Sequence, residues 1–214
     1  MNIFSKLISQ AKKPSGIIGL LITRLMNLEH DKLTNWALSY LTIKGNDIIL
    51  DIGCGGGKTV NKFANIAEKG KVYGIDFSDA SVKLSSKLNS NYITLGRVNI
   101  QKANVSSLPF PDNIFDIVTA IETYFFWPNL ENDMKEVLRV IKPKGKLLIV
   151  SEVYKNSGNE KSLNKWSKFS NTSDFMQYQT KEEFRQTFIN TGYQVINIYV
   201  DIKHGWICGI GTKP

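Results

Sequence analysis

Along this chain, short apolar runs alternate with stretches whose apolar residues recur every three or four positions. Runs of the first kind read as buried strands and stretches of the second as helices with one packed face. Residues 48–52 form the first such run, and it is followed by a helical stretch at 58–67 with Val60, Phe63, Ala64 and Ala67 on one face. A second strand is predicted at 71–76, then a helix over 79–89 that opens from the Ser78-Asp79 region, where an N-cap is expected. A short helical piece ends at Gly96, and strands follow at 98–105 and 115–121. A helix at 129–141 leads to a strand at 147–153. The last third offers a helix at 181–190, ended by Thr191-Gly192, and strands at 193–202 and 206–210. Alternation of this kind predicts an α/β fold with a mostly parallel sheet.

Two regions stand outside that rhythm. Phe4, Leu7, Ile8 and Ala11 recur at helical spacing before Pro14-Ser15-Gly16 breaks the pattern. Residues 17–41 form a second helical stretch in two pieces, divided around 27–31, with Leu33, Trp36, Ala37, Tyr40 and Leu41 on one face. We therefore divide the chain into an N-terminal helical cap or lid at 1–44 and a ligand-binding domain at 45–214. A polar, aromatic-bearing insertion at 154–180 is expected to cover the substrate side. The apolar residues 17–22 are too few to span a bilayer. The lysines around the first helix leave room only for a weak membrane contact.

The chemistry concentrates where the first strand ends. Asp51 is followed by Gly53, Cys54, Gly55 and Gly57, and then a helix begins. Glycines there allow a sharp turn and let a ligand approach bare backbone, while the helix directs its positive end at the same place. A phosphate-binding loop of the form G-x-x-x-x-G-K-[ST] would need glycine where Ile52 stands. The dinucleotide pattern G-x-G-x-x-G would need it at Lys58. What remains is D-x-G-x-G-x-G, and on it the chain resembles the class I S-adenosylmethionine-dependent methyltransferases, in their small-molecule, methyltransferase-11-like branch.

Asp76 ends the second strand about 20 residues beyond the turn, where an acid binds the ribose hydroxyls of an adenosine ligand, and Phe77 follows it as a partner for the adenine. The stretch from Asn104 through Leu108-Pro109-Phe110 to Asp116 is similar to the family's D-A-x-x-L-P-F-x-D-x-x-F-D. The resemblance implies that Asn104 and Val105 meet the adenine, with an amide replacing the usual carboxylate. Its oxygen still accepts a hydrogen bond. Arg139 to Gly145 is similar to the family's R-V-L-K-P-G-G turn, with Lys144 in place of a glycine. The likeness runs from about residue 47 to 153. It implies a Rossmann-like, doubly wound, seven-stranded sheet with an antiparallel C-terminal strand. It also implies S-adenosylmethionine as cofactor and S-adenosylhomocysteine as product.

After the fourth strand come Glu122 and the aromatic run Tyr124-Phe125-Phe126-Trp127. Four aromatics on one connection suit a pocket that excludes water and presents ring faces to a sulfonium. Tyr124 and Trp127 are the candidates for the pocket, Tyr124 also as proton acceptor or positioning group for the transfer, and Glu122 is a candidate for holding the cofactor's amino or sulfonium end or a cationic substrate. The segment Met26-Asn27-Leu28-Glu29-His30 resembles an M-N-x-x-H element of some small-molecule methyltransferases, which makes His30 a second catalytic candidate.

Charge alters this picture little. The 214 residues carry a formal +8, but among the 27 bases only Arg24, Arg97, Arg139 and Arg185 are arginines, so no nucleic-acid partner is expected. Cys54 and Cys208 form neither a disulfide framework nor a metal pattern, which fits a reducing cytoplasm. The residues after the fourth strand lack the [DNS]-P-P-[YFW] of amino-directed nucleic-acid enzymes, and no cysteine beside a proline serves cytosine-carbon chemistry. The expected reaction is direct in-line methyl transfer to a small-molecule acceptor. An NAD(P)-dependent oxidoreductase and a non-catalytic S-adenosylmethionine-binding protein are the alternatives.

Overall fold

The computed structural model describes residues 31–157 and 178–214. Their helices are α1 (Asp31–Leu38), α2 (Lys58–Ile66), α3 (Asp79–Leu88), α4 (Ser90–Thr94), α5 (Leu130–Val140) and α6 (Lys181–Asn190). The strands are β1 (Ile48–Ile52), β2 (Lys71–Asp76), β3 (Val98–Lys102), β4 (Phe115–Ile121), β5 (Ile141–Ser151), β6 (Gln194–Asp201) and β7 (Trp206–Thr212). They join in one sheet in the order β3-β2-β1-β4-β5-β7-β6. Every pairing from β3 to β5 is parallel, and β7 runs antiparallel to both of its neighbours. The antiparallel strand predicted at the C-terminus is thus present, although β7 lies inside the sheet and β6 forms the edge.

Period-two alternation sends neighbouring residues of the central strands into two separate cores. Leu50, Val118, Leu147 and Ile149 face a cluster with Met134 and Val137 of α5 and with Phe184 and Phe188 of α6. Ile49, Ile117, Leu148 and Val150 face Leu33 and Ala37 of α1 and Val60, Phe63 and Ala64 of α2. This two-faced burial explains why the strands read as continuous apolar runs. Leu33, Ala37 and Leu41 are buried as predicted, while Tyr40 is partly exposed and stacks on Tyr199 of β6 at 3.8 Å between ring centroids.

Charged side chains tie the loops to this frame. Asp116 accepts from the Ile48 amide at 2.8 Å and from Lys142 at 2.8 Å, which fixes the entry to β1 against β4. Arg139 reaches the carbonyls of Phe110 and Leu108 and the carboxylates of Asp112 and Glu136, and it pins the loop that precedes β4. Glu136 accepts from the Leu108 amide at 2.8 Å. Lys213 returns to the C-terminal end of α5 and donates to the Leu138 carbonyl at 2.8 Å.

Two boundaries differ from expectation. β3 stops at Lys102 rather than 105, because Asn104 turns the chain by accepting from the Ser106 amide at 3.1 Å. β5 starts at Ile141 rather than 147: Ile141 pairs with Phe115, and the register shifts before Lys146 pairs with Ile117. The segment read as a plain turn is therefore a bulge within the strand. Within it Lys144 takes φ 67°, the left-handed conformation that favours glycine.

Candidate functional site

At the carboxyl end of β1 the chain turns through Gly53, Gly55 and Gly57 with φ of 72°, 51° and 83°, each in the left-handed region that favours glycine. The amides of Gly53 and Cys54 both donate to the Ile75 carbonyl, at 2.8 and 2.9 Å, so the turn is fastened across to β2. From the other side, Asn89 at the end of α3 donates to the Gly57 carbonyl at 3.0 Å. A Cβ on Gly57 would strike Ser85 and Asn89, and one on Gly53 would strike Thr123. The glycines are thus required by neighbouring protein as well as by backbone angle. Neither Asn89 nor Thr123 stood out in the sequence, because a single polar residue at a helix end or strand end carries no periodic signal.

Asp76 lies beside this turn at the end of β2 and is 7% exposed. One carboxylate oxygen accepts from the Gly55 amide at 3.0 Å and the other from the Ser78 amide at 2.9 Å. The Ser81 side chain and the Phe77 amide also act on this carboxylate. Burial raises the pKa of Asp76, against the pull of these amides. Asp51, one strand over, is fully enclosed and accepts from the Thr119 hydroxyl at 2.7 Å. Burial, with the Asp76 charge adding to it, pushes Asp51 up to about 7. Phe77 is 39% exposed at the rim, where a flat ligand could lie on its ring.

The other candidates fall on either side. Asn104 is exposed beyond β3 and Val105 is buried behind it. Cys54 is buried, with its sulfur 3.8 Å from the Ser85 hydroxyl beneath the turn, and burial raises its thiol well above the usual range. The thiol therefore belongs to the packing under the turn. Asp31 opens the described chain and pairs with Lys58 at 3.0 Å and Lys62 at 3.3 Å, at the start of α2. His30 and the Met26–His30 element lie outside the described residues, as does most of the 154–180 insertion.

Beyond β4 the chain kinks at Glu122, a non-glycine residue with φ 57°. Its carboxylate turns toward β5 and accepts from the Glu152 amide. Burial, then the neighbouring Glu152 charge, push Glu122 up to about 8. Tyr124 opens a 3-10 turn over Tyr124–Phe126 and is 1% exposed. Among the described residues its hydroxyl has no hydrogen-bond partner. Burial and the nearby Glu122 hold the phenol far from ionisation, so it can donate a proton in a hydrogen bond but is no base. Tyr178 packs on Phe125 at 5.0 Å between centroids, and Trp127 is buried in the core. Tyr124, Phe125 and Trp127 thus all join the core cluster, and Phe126 packs against it.

No group of three or more His, Cys, Asp or Glu side chains fit to hold a metal occurs among the described residues. No helix among them is long and apolar enough to cross a membrane.

Comparison with known proteins agrees with this geometry. Residues 50–149 match the methyltransferase domain family. The ubiquinone/menaquinone biosynthesis C-methyltransferase UbiE of Shewanella sediminis is 36% identical over 103 residues, which are 48% of this chain and 41% of that protein. The chain thus spans well under half the length of this relative. The fold is shared with a methyltransferase solved in complex with the Trm112 methyltransferase activator of Haloferax volcanii. The TM-score there is 0.78 at 17% identity, over 91% of this chain and 94% of that one. It is also shared with a SAM-dependent methyltransferase of Aquifex aeolicus, with a TM-score of 0.66 at 20% identity over the whole of both chains. Residues 50–149 thus match a methyltransferase domain, and the sheet order and the glycine turn between β1 and β2 agree with that match.

Proposed function

We propose that this protein transfers the methyl group of S-adenosylmethionine to a small-molecule acceptor. The observation that carries the reading is the pairing of the Gly53–Gly57 turn with Asp76, at the point where the strand order reverses between β1 and β4. Open α/β sheets bind ligands at that reversal, outside the carboxyl ends of the strands. When bound, the cofactor supplies an electrophilic methyl on a sulfonium.

The residues fit that group. The two oxygens of Asp76 are spaced for vicinal hydroxyls, and the amides already bonded to them fix their direction. Phe77 offers a ring face to the adenine. Asn104 offers a side-chain oxygen, and Val105 the adjoining backbone, to its edge. Gly53 and Gly55, with Asp51 beneath them, form the bed for the methionine end. On this assignment Cys54 contributes only its place in the turn.

Tyr124, as a protonated phenol in an enclosed wall, positions the acceptor. His30 is the candidate for taking its proton; the next residue, Asp31, is paired to Lys58 beside the turn. Residues 1–44 as a cap and 154–180 as a cover complete this arrangement. Enclosure excludes water from the methyl and holds the acceptor in line, which is most of what such a reaction asks of a protein.

Calorimetry with S-adenosylmethionine tests the reading. Wild-type protein should bind it, and Asp76→Ala should weaken binding by about 10- to 100-fold, as expected for losing hydrogen bonds to a charged acceptor. Gly53→Arg should abolish binding. Unchanged affinity in both variants, or a wild-type protein that binds NADH instead, would overturn the assignment.

A further inference from the structure

Parallel strands joined by helices set their starting ends on one side of a domain, opposite the carboxyl ends that here hold the glycine turn and Asp76. The starts of β1 to β5, the last turns of α2 and α3 and the end of β7 share that side. Four aliphatic side chains there remain 37% to 68% exposed. Ile66 ends α2, Leu88 ends α3, and Ile93 and Leu95 lie on and just after α4. Tyr92 donates to the Asn65 side chain at 2.6 Å and so ties α4 to the end of α2, which makes the four one patch. A Cβ on Gly45 or Gly96 would meet nothing within 4 Å, so the turns beside the patch stand clear of other protein.

The charges on this side are unbalanced. Lys44, Lys69, Lys71, Lys87 and Lys144 are exposed, and among the described residues none of them pairs with a carboxylate. On the opposite side Lys58 and Lys62 share Asp31, Lys102 takes Asp79 and Lys155 takes Glu183. Carboxylates near the strand starts are already engaged: Arg139 holds Asp112 and Glu136, Lys142 holds Asp116, and Asp47 accepts from the Lys44 amide. Among the described residues that leaves Glu68 to oppose the lysines. The negative helix ends are covered too. Arg97 donates to the Ala64 and Ala67 carbonyls at 2.6 and 2.7 Å, and Lys87 sits in the last turn of α3.

We propose that this end of the molecule docks on an anionic lipid bilayer, with Ile66, Leu88, Ile93 and Leu95 entering the headgroup layer and the lysines lying over its charge. Aliphatic side chains ringed by lysine match a surface whose charge is diffuse and whose interior is apolar. The pattern does not suit nucleic acid. Arg97 spends its guanidinium on carbonyls and on the Tyr92 ring, 5.3 Å from the centroid, and Arg139 spends its own on the loop before β4. Neither arginine therefore keeps a fork for a phosphate, and Tyr92 has no open face for a base. A second copy of the chain would set lysines against lysines. Docking also fixes orientation: β4 has seven residues, about 20 Å of rise, so the glycine turn and Asp76 stand that far above the bilayer and open to water.

Cosedimentation of the full chain with lipid vesicles tests this. The protein should bind an equal mixture of phosphatidylcholine and phosphatidylglycerol, and bind phosphatidylcholine alone about tenfold or more weakly. Added salt should release it. Leu95→Glu should weaken binding to the mixed vesicles by about tenfold, and Lys69→Glu combined with Lys71→Glu by about 10- to 100-fold. These side chains are exposed and remote from the glycine turn, so the melting temperature should stay as in the wild type. No binding to the mixed vesicles, or binding that both variants retain in full, would overturn the proposal. So would a wild-type chain that prefers RNA or an acidic protein to the vesicles. A dimer on gel filtration that Leu95→Glu splits would show a second copy over the patch, and would overturn it as well.

Discussion

The methyl of Thr123, at the end of β4, occupies the space that a Cβ on Gly53 would need at the end of β1. Two strand ends are thereby locked together at the mouth of the site, with the Thr123 hydroxyl donating to the Ile52 carbonyl at 3.3 Å. Gly53→Ala should therefore fail twice, once through the clash and once through the left-handed φ of 72°. A loss of about 2–4 kcal/mol is expected, combining αL strain with overpacking. Thermal melting would show it, and Thr123→Ser placed on top of Gly53→Ala should restore part of the loss by removing the struck methyl. A double variant no more stable than the single one would mean that backbone angle alone dictates glycine here.

Asn89 carries the opposite end of the turn. It is fully buried, donates to both Gly57 and Ser85, and accepts from Asn61 at 3.2 Å. Asn89→Ala leaves the Gly57 carbonyl without this donor, at a cost of about 1–3 kcal/mol. Asn89→Asp should be worse, because a carboxylate would face that carbonyl. Both variants loosen the turn without touching a ligand, so S-adenosylmethionine affinity should fall while the acceptor preference stays as in the wild type. Chemical denaturation and calorimetry read the two effects separately.

These contacts mark the limit of what the sequence disclosed. β2, β4 and α6 begin and end where the apolar pattern placed them, since that pattern records burial on a repeating lattice. The Gly53-Gly55-Gly57 spacing and the acid at 76 were legible for a related reason: a ligand that needs bare backbone forces residue type at fixed intervals. Asn89 against Gly57, Thr123 against Gly53 and Glu122 against Glu152 were not legible. Each joins segments that only the folded sheet brings together, through one polar residue with no period. β5 was misread at its start because Pro143 and Gly145 look like a turn, whereas Gly145 is required by the close approach of the Asp116 carbonyl, 2.9 Å from where its Cβ would sit.

Lys144 in that bulge offers a gain in stability. Its side chain lies in solvent, and its φ of 67° carries the left-handed penalty of about 1–2 kcal/mol for a residue with a Cβ. Glycine removes the penalty but adds entropy to the unfolded chain, which offsets about 0.4–1 kcal/mol. Lys144→Gly should therefore stabilise the protein by about 0.5–1 kcal/mol, and Lys144→Val should destabilise it. The Lys144 amide donates to the Lys213 carbonyl at 3.0 Å, a bond that both variants keep, so the comparison isolates the backbone. Equal midpoints for glycine and valine would refute the assignment of strain.

Asp51 gives the stability of the protein a pH dependence of predictable sign. In the folded state its pKa is raised from 3.8 to about 7, so between those values the native chain holds a proton that the unfolded chain has released. Stability must then fall as pH rises through that window, and above about 7 the penalty is complete. At 1.36 kcal/mol per unit the shift sets a ceiling of about 4 kcal/mol on it. Asp51→Asn keeps an acceptor for the Thr119 hydroxyl and removes the buried charge. It should melt higher than the wild type at pH 8, match it near pH 4, and show a flatter profile between. Asp76 adds to the shift through its charge, so Asp76→Ala should move the wild-type inflection toward lower pH. Parallel wild-type and Asp51→Asn profiles would mean that Asp51 is already ionised in the folded protein, and that its neighbours stabilise the charge more than burial opposes it.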